Sequence, residues 1–150
     1  MRRNGVFIDS CMAAEKLELR AFLGSWALSR TIRDSHGPDG ALRGSAVLAP
    51  AAGGLVYHEA GTLSLGGHAL AATRRYLWRA GPEVTICFED GRVFHTLSLQ
   101  KTVQPVRHDC PPDVYEGHYD LTDWPRWSCT WQVRGPRKSL RIVSHYAPMG

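Results

Sequence analysis

From Ser25 onward, apolar and polar residues alternate in short segments rich in β-branched and aromatic side chains. Each segment closes on a turn signal: SHGPDG, PAAGG, LGGH, AGPE, EDGR, a Pro-Pro step, TDWPR and RGPRK. Alternation puts successive side chains on opposite faces of a strand, and clusters of Gly, Pro and Asp mark the reversals. The spacing predicts one antiparallel sheet of about eight to ten strands. In a chain of 150 residues, such a sheet loses its exposed edges most simply by closing on itself. The expected fold is therefore all-β, an antiparallel barrel lined by alternate residues, with a sandwich as second choice. Upstream, AAEKLELRAFL carries Leu19, Phe22 and Leu23 at helical spacing, which predicts a short N-terminal helix ended by Gly24. Residues 1–12 share neither pattern and are expected to be loose, leaving 13–150 as a single domain.

The phase of the alternation sorts side chains by face. In VTICFEDGRVFHTL, Asp90-Gly91 is a preferred two-residue turn, so Glu89 should face Arg92, Phe88 face Val93 and Ile86 face His95. One face then carries Val84, Ile86, Phe88, Val93, His95 and Leu97; the other carries Thr85, Cys87, Glu89, Arg92, Phe94 and Thr96. His95 falls on the apolar, inward face, where an imidazole needs either a structural hydrogen-bond partner or a ligand. In ATRRYLWR, Arg74, Tyr76 and Trp78 share the inward face, with Arg75, Leu77 and Arg79 outside. An enclosed guanidinium needs an anion. Glu59, which shares a face with Tyr57 in LVYHEAGTL, is one candidate partner for Arg74; a ligand carboxylate is the other.

The densest polar stretch is RHDCPPDVYEGHY, residues 107–119. Pro111 and Pro112 lack backbone donors, so one strand should end at RHDC and the next begin at DVYEGHYD. Tyr115, Gly117 and Tyr119 then share one face, the glycine leaving room between tyrosines, and Glu116 and His118 take the other. His108, Asp109, Cys110 and Asp113 would form a polar rim at one barrel end, with Asp109 and Asp113 capping turn amides as the structural alternative. His108, Cys110, Asp113 and His118 are possible zinc donors, but His-x-Cys is not the paired spacing of a structural site, and no metal is expected. Cys110 has no base shown beside it, so it is not read as a nucleophile. Further on, Trp131 is expected in the core and Trp124 and Trp127 over the barrel mouth. Arg134, Arg137 and Lys138 read as solvated loop charges.

Composition narrows the partners. Lys and Arg number 18 against 14 Asp and Glu, a formal +4, but the basic residues are scattered, so a nucleic-acid surface is not expected. No apolar run approaches the ~18 residues of a membrane helix, and none resembles a secretory core. Cys11, Cys87, Cys110 and Cys129 are widely spaced without a CxxC pair, which suits a reduced cytoplasmic setting.

FLGSW, Phe22 to Trp26, resembles the Gly-x-Trp signature that opens the first strand of lipocalins and related calycin barrels. There a short helix precedes the strand, and a basic residue from the last strand packs over the tryptophan; Arg141 in SLRIVSHY is the matching candidate. The ordered series FLGSW, YHEAG, RRYLW, EDGRVFH, HDCPPDVYEGHY and WQVRGPRKSLRIVSHY is similar to an uncharacterised bacterial family of lipocalin-like domains of unknown function. The resemblance spans residues 18–148 and implies a barrel with a ligand cavity, but no reaction. Some barrels of this kind hold haem through a strand histidine; His145 lies opposite the face of Tyr146, so no cofactor is expected.

Three functions follow as expectations. The first is binding of a small, partly apolar, anionic molecule inside the barrel of a monomer or homodimer, lined by Tyr57, Glu59, Arg74, Tyr76, Trp78, His95, Tyr115, Tyr119 and Trp131. The second is an enzyme, an isomerase, cyclase or hydrolase, with His95, His108, Asp113 and Tyr115 as its acid–base set. The third is a protein-interaction module with a filled interior.

Overall fold

The computed structural model describes residues 17–149. A 3-10 turn, Leu19–Phe22, leads into ten strands: β1 (Gly24–Asp34), β2 (Gly40–Ala51), β3 (Gly54–Leu65), β4 (His68–Arg79), β5 (Val84–Phe88), β6 (Val93–Leu97), β7 (Val103–Cys110), β8 (Asp113–Asp120), β9 (Trp127–Gly135) and β10 (Lys138–Pro148). All belong to one sheet, in the order β6-β5-β4-β3-β2-β1-β10-β9-β8-β7. Chain neighbours within it pair antiparallel, and β1 also pairs with β10, so the sheet is an up-and-down meander rolled into a nearly closed barrel.

The remaining seam lies between β6 and β7, where side chains replace the backbone ladder. The Ser98 N–H donates to Gln104 Oε1 at 2.7 Å, and Gln104 Nε2 donates back to the Ser98 carbonyl. Higher up, His108 Nδ1 lies 2.9 Å from the Phe94 carbonyl. These bonds satisfy edge groups that would otherwise stay unpaired.

Phe22 plugs one end. It is fully buried, with ring centroids 4.7 Å from Trp124, 5.3 Å from Trp78 and 5.3 Å from Trp127. A full helix over residues 13–23 is not what its described part shows; residues 13–16 lie outside the described residues. The bonds Ala21 N–H to Glu18 and Leu23 N–H to Arg20 have the tighter 3-10 spacing, and Leu23 is left 40% exposed. A single tight turn suffices because its task is to drop Phe22 into the barrel end.

Trp124 and Trp127 belong to this plugged end rather than to the mouth: Trp127 begins β9 beside the start of β1, and its ring stacks on Tyr146 at 3.8 Å. Trp26 is buried as expected, but Arg141 does not cover it. Arg141 is exposed and pairs in register with Arg33, seven steps along β1, while the Trp26 indole N–H donates to the Phe22 carbonyl at 2.9 Å.

The β5–β6 hairpin departs from the expected two-residue turn. Ile86 does face His95, but the next pair is Cys87 with Val93, so Phe94 is an extra, bulged residue. The Phe88 N–H donates to the Arg92 carbonyl, the Arg92 N–H donates to Asp90 Oδ1, and Gly91 takes a φ of +92°, which favours glycine. The bulge exchanges two expected positions. Val93 is 55% exposed, and Phe94 turns inward. Cys87, expected outside, is fully buried. At Pro111-Pro112 the strands break as expected, β7 ending at Cys110 and β8 starting at Asp113.

Candidate functional site

Between the tryptophan plug and the opposite end the barrel encloses a cavity of about 590 Å³, a volume ordinary for small-molecule sites. The alternation that built the strands supplies its walls, and the Phe94 bulge supplies its centrepiece. Phe94 stacks on Trp131 (centroids 5.1 Å, planes at 16°), on Phe88 (4.8 Å, 24°) and on Tyr76 (5.7 Å, 22°). His108 meets the same ring edge-on at 5.1 Å. The result is an apolar wall of aromatic rings that stack on one another along the cavity.

Beside this wall runs a buried polar network. Arg30, on β1, donates from both terminal nitrogens to Glu59 at 2.7 and 2.9 Å, and from Nε to Ser144 Oγ at 2.7 Å. The Tyr57 hydroxyl donates to Glu59 Oε1 at 2.6 Å. With its single proton so used, Tyr57 accepts from Tyr146 at 2.7 Å. Burial alone would raise the Glu59 pKa, but the Arg30 hydrogen bonds and charge outweigh it and hold the carboxyl below its ordinary value. Burial, reinforced by the neighbouring Tyr146 and Glu59, pushes Tyr57 well above a normal phenol. The network is thus a carboxylate and a guanidinium clamped by neutral phenols.

Arg74 was expected inside with Glu59. The two are cross-strand neighbours in the β3–β4 ladder, yet Arg74 is exposed at the cavity mouth and donates only to the Tyr76 hydroxyl, at 3.3 Å. Arg30 takes the carboxylate because it lies deeper and reaches it with a bidentate fork. The inward phase of β1 was readable from Trp26, Leu28 and Ile32, so Arg30 could have been found by extending the alternation one step. The same reasoning applied to β10 gives Ile142, Ser144 and Tyr146, which also line the cavity.

His95 is buried, with Nε2 3.0 Å from the Tyr119 hydroxyl and Nδ1 without a partner among the described residues. Burial, with a smaller contribution from the His108 charge, pushes its pKa down to about 3, so the ring is neutral at physiological pH. Behind it, burial pushes the Cys129 thiol up to about 12, leaving an inert thiol. His108 is half-buried at the mouth. Because a carbonyl can only accept, its bond to Phe94 places a proton on Nδ1, so that in the neutral ring Nε2 carries the lone pair.

The structure brings Tyr57, Tyr76, Trp78, His95, His108, Tyr115, Tyr119 and Trp131 to one cavity, with Arg74 at its rim, while Glu59 lies against it through Tyr57 and Arg30. It does not bring Asp113 there. Asp113 pairs with Lys138 at 3.2 Å, and Asp109 pairs with Arg107 at 3.0 Å; neither caps a turn amide. Cys110 lines the mouth as an exposed free thiol. Gly117 leaves no open space between the tyrosines, because a Cβ there would sit 1.9 Å from the Thr130 carbonyl oxygen; the glycine admits the neighbouring backbone instead. Among the described residues no three His, Cys, Asp or Glu side chains converge as metal ligands, and no helix is long and apolar enough to cross a membrane.

A family model matches residues 22–148, and the chain belongs to that family, described as a family of unknown function (DUF6314). No curated protein matches it. Among solved structures, the chain is similar to an S-type phycobiliprotein lyase, CPES, from Guillardia theta: TM-score 0.63 at 8% identity, covering 93% of this chain and 97% of that one. A redesigned β-barrel, mFAP1, bound to DFHBI matches with a TM-score of 0.40 at 10% identity, covering 86% of this chain and 97% of that one. The first likeness shows a shared barrel fold, and the second adds no argument.

Proposed function

We propose that this protein binds a small, flat, partly apolar anion in the barrel interior, its ring system lying against Phe94 and Trp131 and its acidic end at Arg74. The observation that carries this reading is a division of labour between two arginines. Glu59 is fully engaged by Arg30, which leaves Arg74 at the entrance of a hollow, aromatic cavity with no carboxylate in ion-pair range among the described residues. A cation held beside an aromatic wall recognises a ligand with one charged end and one flat end. The structural neighbour named a phycobiliprotein lyase is compatible with this reading but contributes only its fold.

The test is native mass spectrometry of the protein purified from its own host, together with the Arg74→Ala variant. A retained small anion in the natural protein, lost or sharply reduced in the variant, supports the reading. A retained molecule that is cationic, or one held equally by the variant, contradicts it.

A second reading, acid–base catalysis at the mouth, is favoured by one observation: His108 lines the cavity with Nδ1 engaged by the Phe94 carbonyl, which leaves Nε2 as the nitrogen free to exchange a proton. His95 is the weaker base because burial keeps it from holding a proton. If the bound compound proves reactive, turnover should fall in His108→Ala while its affinity is kept.

A further inference from the structure

The two sides of β4 are unequally covered. β3 pairs with it along its whole length, from His68 opposite Leu65 to Arg79 opposite Gly54, without a register shift. On its other side β5 reaches only Tyr76 to Arg79. Among the described residues, His68–Arg75 therefore presents a row of unpaired N–H and C=O groups. Natural sheets blunt such edges with proline, bulges or lysine. HALAATRR contains none of these, its first formal charge is Arg74, and Leu70 is 53% exposed.

We propose that this edge pairs with the same edge of a second copy of the chain, antiparallel about a two-fold axis at Ala72. The register follows from geometry and charge. Facing residues in an antiparallel ladder must both direct their amide groups toward the partner or both away, so in a symmetric pair the axis passes through a residue. Phe88 already occupies the position opposite Tyr76, so pairing ends at Arg75. The registers that use the edge most fully are centred on Ala71 and on Ala72. Centring on Ala71 sets His68 opposite Arg74, two basic groups. Centring on Ala72 sets Arg74 opposite Leu70, Arg75 opposite Ala69 and Thr73 opposite Ala71. No two basic side chains then face each other, and the aliphatic stem of Arg74 covers the exposed Leu70. His68, one step beyond the ladder, arrives beside the end of β5 rather than opposite a basic side chain.

This pairing is independent of what the cavity holds, but it bears on access to it. Thr73, Arg74 and Arg75 line the mouth, so the β3–β4 hairpin of a second copy borders the entrance. A single strand pair buries less than the ~1,200 Å² of a durable complex, so dissociation constants of about 10–100 μM are expected.

Sedimentation equilibrium of the full chain over about 5–500 μM reads the proposal directly. The natural sequence should fit a monomer–dimer equilibrium, and Leu70→Lys/Ala72→Lys should sediment as monomer with an unchanged circular dichroism spectrum. The register has its own signature at Ala69, which is exposed and faces Arg75. Ala69→Lys should weaken the dimer at least about 10-fold and Ala69→Glu should tighten it at least about 3-fold, since Arg75, held only by the exposed Glu89 at 3.5 Å, meets a second cation in the first and a second carboxylate in the other. A natural chain that is monomeric throughout overturns the proposal, as does a dimer indifferent to all three variants. A monomer whose β4 edge instead takes up a strand from an unrelated protein also overturns it, assigning the edge to a different partner.

Discussion

Glu59 and Arg74 stand opposite each other in the β3–β4 ladder, yet the carboxylate of Glu59 turns away to Arg30 at 2.7 and 2.9 Å, and Arg74 is left at the mouth. One charge pair is consumed by the fold, and Arg74 has no ion-pair partner among the described residues.

Glu59→Gln should destabilise the protein by about 3–5 kcal/mol, because it leaves the largely buried Arg30 without its counter-charge. The pH dependence carries the same message. With the folded pKa of Glu59 below its ordinary 4.5, its contribution is complete above that value and is lost as pH falls through the lowered folded value. Urea melts of both proteins at pH 7 and in the acid range measure the two effects.

His95 acts in a different window. Its folded pKa of about 3 lies below the ordinary 6.5, so the unfolded chain binds the extra proton between those values. Stability should be flat above pH 6.5 and decline below it, by at most about 1.4 kcal/mol per pH unit from this group. In His95→Gln the decline between pH 6.5 and 4.5 should flatten, as read by the urea midpoint at successive pH values.

Arg74→Ala should leave stability within about 0.5 kcal/mol, since the side chain is exposed and makes one long hydrogen bond. Thermal melts without ligand check this. A substantial loss would mean that Arg74 is structural and that the vacant-cation account is wrong.

Two packing variants test the barrel itself. Phe22→Ala removes the plug from the tryptophan end and should cost about 3–5 kcal/mol. Gly117→Ala, a change of one methyl, should also be severely destabilising, because its Cβ would collide with the backbone at Thr130 rather than with a side chain that can move. Chemical denaturation, or loss of soluble yield in the second case, provides the readout.

Strand count, antiparallel order and the inward faces of β3, β8 and β10 were legible because period-two alternation is a local property, and a closed barrel leaves few other ways to bury one face. Positions that depend on a break in alternation were not. Phe94 reads as an outward residue until a bulge is inserted, and the sequence EDGR offers a tight turn as readily as the longer loop that forms. The Glu59 partner was missed for another reason. Register alone names Arg74, whereas the choice of Arg30 depends on depth across the barrel, a distance that no pairing rule carries. Arg141 shows the limit of a borrowed signature: Trp26 sits where the resemblance places it, but its polar partner is the Phe22 carbonyl.

The central claim is that the aromatic hollow accepts a flat anion oriented by Arg74. Titration of the folded protein with 1-anilinonaphthalene-8-sulfonate, following both dye emission and tryptophan quenching, tests it most directly. The expected result is saturable 1:1 binding, weakened at least about 10-fold in Arg74→Ala and blocked in Ile142→Trp, which fills the cavity wall. Absence of saturable binding, or binding unchanged in both variants, would contradict it.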